Sequence, residues 1–186
     1  MLHYRDLLIN FRPNDEFDEV PVFVEGDTMA DFNVNLINPF LMASSSVIRD
    51  VCQCELKVGK PYVKGGDFKE DTVMIMIGLT GELRGQVMLV FNEKNALSVV
   101  SRMAMMEITE MNELAVSAIS ELTNMIMGNA ATILSTKGIA VDITPPTFCH
   151  GSFSVSTAYT KDVCVPLLSD GETFVEVDIA IKGEEE

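Results

Sequence analysis

Glu121 and Asn124 are the pair in this chain whose types and spacing best suit chemistry. Three residues apart on a helix, they project side by side. A carboxylate can pair with a partner's ammonium group through a charge-assisted hydrogen bond. A carboxamide donates and accepts at once, so it can hold a water in line for attack. Phosphoryl transfer rests on positioning far more than on covalent chemistry, so such an amide can suffice. The E-x-x-N spacing occurs once in the chain. Taken alone, the pair reads more readily as part of an exposed, solvated helix face, where such pairs are common.

The segment that must position these two is the longest helical pattern, Met111–Thr136. With Glu121 at 0° and about 100° per residue, Val116, Ile119, Leu122, Ile126, Met127, Ala130, Ile133 and Leu134 share one broad apolar stripe. Opposite lie Glu113, Ser117, Glu121, Asn124, Gly128, Thr132 and Ser135. That stripe is polar yet has no Lys, and several of its residues are small, unlike a solvated face filled with long charged side chains. Gly128 is a poor helix-interior residue, costing about 1 kcal/mol against Ala. A smooth stripe of this kind implies that something approaches closely. Lys137 in the last turn and Gly138 beyond it predict the helix end.

Other constellations are weaker. Cys52-x-Cys54 and Cys149-His150 would have to meet to hold a metal. Closed zinc sites usually show paired C-x-x-C spacing, and small buried thiols are the better reading, so no metal site is expected. The run Met103-Ala104-Met105-Met106 could be a soft partner surface or a copper site, but core filler is the better reading. No G-x-S-x-G, Walker A, H-E-x-x-H or G-x-G-x-x-G motif is present.

The 186 residues include 13 Lys and Arg against 28 Asp and Glu, a net charge of −15. No two basic residues are adjacent, which argues against nucleic acid and against anionic membrane surfaces. Apolar runs stop at five residues, too short for a membrane span or a signal peptide. Four cysteines make no disulfide framework, and a reducing cytoplasm is expected. Residues 1–33 carry eight acids against two arginines and read as an acidic leader. Its apolar spots, Leu7–Ile9 and Val22–Val24, would dock as one helical turn and one strand. Residues 34–182 form the expected domain, and 183–186 an acidic tail.

Within that domain, Pro39 is expected to open a helix over Phe40–Val51. Thr72–Leu79 and Gln86–Phe91 predict a hairpin about Gly81–Gly85, and Asn92–Asn95 caps a helix over Ala96–Met106. Strands are expected at Ala140–Ile143, Gly151–Thr157, Asp162–Leu168 and Thr173–Ile181. The order suggests one half repeated, each copy headed by a helix. It predicts an α+β fold, with two long helices packed on a largely antiparallel sheet.

Ser117-x-x-x-Glu121-x-x-Asn124, followed by Met-Ile-Met-Gly128-Asn129-Ala130-Ala131, resembles the signature helix of the CheC/CheX family. Those are bacterial chemotaxis phosphatases acting on CheY-type response regulators. Val34–Phe40 resembles the family's opening helix, Gly78–Gly85 its hairpin, and Val141–Thr147 the segment after the second helix. The first helix, Met42-Ala43-Ser44-Ser45-Ser46-Val47-Ile48-Arg49, carries no E-x-x-N, which matches the single-site CheX branch. The resemblance implies a CheC-like fold and a hydrolase for the aspartyl phosphate of a receiver domain. Asn124 would orient the water and Glu121 would bind the receiver's active-site Lys, with Ser117 and Gly128 in the docking surface. Mg²⁺ would sit on the receiver, and no cofactor on this chain. A non-catalytic adaptor for a receiver or a flagellar motor component is the alternative. The resemblance also implies a homodimer joined through its sheets. The strand Thr173–Ile181, with Glu176 and Asp178 as its only charged gatekeepers, is the expected edge.

Overall fold

Valines, isoleucines and methionines alternate over β3 (Thr72–Gly81) and β4 (Gly85–Asn92), and the two close as an antiparallel hairpin with Val73 opposite Phe91 and Ile77 opposite Val87. The computed structural model describes residues 34–63, 65–156 and 161–182. The leader, the acidic tail and Thr157 lie outside them. A second hairpin, β8 (Lys161–Ser169) and β9 (Glu172–Ile181), turns at Asp170-Gly171 as expected. The hairpins join through β4 and β9, Leu89 opposite Val177.

Shorter strands complete the ends. β1 (Lys57–Val58) pairs with β8, while β5 (Val141–Ile143) and β6 (Thr147–His150) both pair with β3. Among the described residues the sheet reads β1-β8-β9-β4-β3-β5, every pair antiparallel. That order is palindromic about β9–β4. Each half contributes a hairpin, and each sends its short leading strand to the other half's hairpin. The halves are thus repeated, as expected, and interlocked.

Three helices lie on one face: α1 (Val34–Cys52), α2 (Glu93–Ala104) and α3 (Glu113–Thr136). Strand alternation sends Val73, Ile75, Ile77, Val87, Leu89, Val163, Val165, Val177 and Ile179 to that face, where they bury against Phe40, Val47, Ile119, Leu122 and Ile126. Each fully buried side chain of this kind stabilises the fold by about 1.5–3 kcal/mol. On the opposite face Met74, Met88 and Val90 are covered by a small ribbon, β2 (Asp67–Phe68) with β7 (Phe153–Ser154). Its Phe68 and Phe153 rings stack at 5.0 Å.

Four expectations are corrected. β9 is central, not an edge, and Asp178 is 1% exposed rather than a gatekeeper facing solvent. Glu176 lies on the ribbon face and accepts a hydrogen bond from the Tyr62 hydroxyl. The helix that periodicity starts at Phe40 begins at Val34, where the family resemblance places its opening helix, with Pro39 inside it. Proline removes one helical donor, but burial of Ile37 below it holds the extra turn in place. The strand expected at Gly151–Thr157 is shortened to β7: an additional strand, β6, ends before it at His150, and Gly151, with φ +101°, turns the chain so that pairing resumes only at Phe153. Met105 and Met106 are 89% and 58% exposed, not core filler.

Candidate active site

The local chemistry of α3 sets its two ends. Asn112 caps it, its side-chain oxygen accepting the Ala115 N–H at 3.0 Å. At the other end Ile139 N–H reaches the Leu134 carbonyl and Gly138 N–H that of Ser135, both at 3.0 Å, with Gly138 at φ +79°. This is the paired-bond ending that a left-handed glycine permits. Between these caps, Ile119, Leu122, Ile126, Met127, Ala130, Ile133 and Leu134 are buried, as the periodicity predicts. Ala115 and Thr123 join them unannounced, and Val116 is only half-buried. Thr123 is tolerated because its hydroxyl donates to the Ile119 carbonyl at 2.9 Å.

The core stripe fixes the rotation of α3 and therefore what the opposite stripe presents. Glu121, Asn124 and Gly128 are half-buried, while Ser117, Thr132 and Ser135 are exposed. One turn apart, Glu121 and Asn124 have Cβ atoms about 5–6 Å from each other. Neither side chain makes a hydrogen bond or ion pair to another described residue. Both are free to engage something outside the chain. Thr132 turns its hydroxyl back to the Gly128 carbonyl at 2.9 Å, which keeps the stripe low. A Cβ built on Gly128 would meet nothing within 4 Å. No packing within the described residues therefore calls for glycine there.

The two cysteine pairs are not brought together. Cys52 ends α1 within the helix-side core, and burial pushes its thiol up to about 11 despite the nearby Arg102. The Cys54 thiol donates a hydrogen bond to the Ser169 hydroxyl at 3.3 Å. Cys149 packs on the opposite face of the sheet, and His150 stands 3.4 Å from Glu93. Among the described residues no three His, Cys, Asp or Glu side chains gather around a point that could hold a metal. No described helix is long and apolar enough to cross a membrane.

Comparison with known proteins gives this geometry a family. A family model described as chemotaxis phosphatase CheX matches residues 73–168. The CheY-P phosphatase CheX of Thermotoga maritima is 38% identical over 151 residues, covering 81% of this chain and 97% of that protein. A CheC-like superfamily protein from Shewanella sp. PV-4 superposes with a TM-score of 0.73 at 28% identity, covering 82% of this chain and all of that one. CheX of Borrelia burgdorferi, solved as a CheX–CheY–BeF3–Mg²⁺ complex, gives 0.68 at 33% identity over 79% of this chain and 97% of its own. With its interlocked α+β halves, its single E-x-x-N helix and a matched region of more than half its length, this chain belongs to the CheX family of chemotaxis phosphatases.

Proposed function

We propose that this protein hydrolyses the aspartyl phosphate of a CheY-type response regulator, with Glu121 and Asn124 inserted into the receiver's site. The observation that carries the reading is the stripe on α3. An acid and an amide stand there half-buried and uncommitted, beside a glycine that no internal packing requires. The phosphate and its Mg²⁺ belong to the receiver. Asn124 accepts a hydrogen bond from a water and holds its oxygen in line with the phosphorus. Glu121 bonds the receiver's active-site ammonium group, which fixes the register of the amide. Ser117 and Gly128 let the partner's backbone come close. The support is the family membership and the relatives' named activity and partner.

The reading includes a cytoplasmic homodimer whose catalysis does not need residues 1–33. With β9 at the centre of the sheet, β1 and the β5–β6 end are the edges left for pairing. Light scattering at micromolar concentration should give twice the 20.4 kDa chain mass, and a monomer mass removes the dimer. The decisive assay is steady-state release of phosphate from a phosphorylated receiver, wild type against Asn124→Ala. Wild-type turnover in the variant would replace catalysis by the adaptor role.

A further inference from the structure

Five large apolar side chains are exposed among the described residues, and three of them, Met105, Met106 and Leu114, flank the connection from α2 to α3. Met105 occupies the position after α2 where the backbone turns left-handed, φ 53° and ψ 32°. Its N–H and that of Met106 close the helix end on Arg102 and Ser101. Glycine is the usual residue at such a turn, because a side chain there strains the backbone. Here the strained position carries a large side chain that is 89% exposed, so packing within the described chain does not explain it. Methionine's flexible, polarisable chain suits contact with a surface that must adapt.

Leu114 ties this patch to the site. It lies seven residues before Glu121, so it falls within about 20° of it on the helix and about 10 Å toward the N-terminus. The apolar side chains are interleaved with Glu107, Glu110 and Glu113, all exposed. Three exposed apolar and three exposed acidic side chains within residues 105–114 are complementary to a partner surface that mixes apolar groups with Lys or Arg.

We infer that Met105, Met106 and Leu114 form a second docking contact for the receiver, seated on a surface that mixes apolar groups with Lys or Arg and continuous with the Glu121–Asn124 stripe. This rests on the function proposed above and names how the partner is gripped rather than how the phosphate is cut. The patch stands away from the reacting atoms, so it sets affinity and leaves the hydrolytic step alone.

The test combines Met105→Gly, Met106→Gln and Leu114→Gln in the full chain. Binding is measured to a CheY-type receiver held with beryllofluoride and Mg²⁺, and turnover to the same receiver phosphorylated with acetyl phosphate. Dissociation constant and KM should rise about tenfold or more, the scale of a central interface contact, with kcat within about twofold. Met105→Gly alone should keep or raise the melting temperature while weakening binding, which separates docking from folding. Glu107→Lys with Glu110→Lys should weaken binding and flatten its salt dependence. Unchanged affinity and KM in the triple variant, with an active wild type, overturn this inference alone. An Asn124→Ala protein that binds and hydrolyses normally overturns the catalytic reading alone. A wild type that binds no receiver overturns both. A triple variant that loses self-association without losing receiver affinity assigns the patch to a second copy of this chain and also overturns the inference.

Discussion

Helices α1 and α3 hold matching places in the two halves of the molecule, yet only α3 carries the E-x-x-N pair proposed to do chemistry. An offset of 86 residues sets Asn35 and Asn38 on Glu121 and Asn124. It also superposes Ile37, Phe40, Leu41, Ser44, Val47 and Ile48 on Thr123, Ile126, Met127, Ala130, Ile133 and Leu134, all buried. Inward, the two helices solve the same packing problem. Outward they diverge: α1 has an amide where α3 has Glu121, half-buried Met42 where α3 has Gly128, and Arg49 where α3 has Ser135. The Asn38 side-chain oxygen is buried without a partner among the described residues, followed at once by Pro39. The difference teaches that the core stripe carries the fold. The opposite stripe, outside the core, is where the proposed site lies.

If that division is right, the largest effects come from the shared inward face and are alike in both helices. Phe40→Ala and Ile126→Ala should each cost about 2–5 kcal/mol in denaturant unfolding, because each leaves a cavity in the common core. A cost confined to one helix would break the comparison. Next in size, Asn124→Ala should lower turnover about a hundredfold or more while binding to the receiver survives, the scale of a lost transition-state contact. Its mate Asn38→Ala should leave turnover unchanged and stability unchanged or slightly higher, since it removes a buried oxygen with no partner. Glu121→Ala should weaken binding and turnover together, read as a higher KM and a lower kcat.

Smaller still, Gly128→Ala should stabilise the isolated protein by about 0.5–1 kcal/mol, because the new methyl meets open space and the helix gains propensity. The same change should raise KM for the phosphorylated receiver. A stabilised variant with unaltered kinetics would remove Gly128 from the docking surface. The smallest expected effect is on α1: Asn35→Glu with Met42→Gly restores the outward pattern but should add no measurable turnover in an Asn124→Ala background. The buried Asn38 oxygen cannot present a water. Recovery of phosphate release there would show that α1 keeps a working site.

The site was more legible in the chain than the sheet around it. Glu121, Asn124, Ser117 and Gly128 fall on one stripe by helical arithmetic alone, and the structure keeps that stripe out of the core. Leu114 shares the stripe too, but its apolar type suggests the core while its angle turns it outward. Asn35 and Asn38 were missed for a related reason. Pro39 fits a first helical turn, so the chain before it looked like entry rather than helix. Burial of Ile37 and the resemblance of Val34–Phe40 to an opening helix both place it in the helix.

Wherever a structure is closed by bonds between near neighbours, the residues alone determined it. The caps at Asn92, Asn112 and Gly138, both tight hairpins and the facing of α3 all follow from side chains and backbone groups a few positions apart. What the tertiary structure decided is pairing at a distance. β9 alternates apolar and polar whether it lies at an edge or in the middle, since alternation reports which face is buried and not which strand is beside it. Its place between β4 and β8 makes Asp178 an interior residue and moves the free edges to β1 and β5. The exposure of Met105 and Met106 was settled in the same way. A methionine is equally apolar inside or out, and only the path of the chain from α2 to α3 leaves these two in solvent.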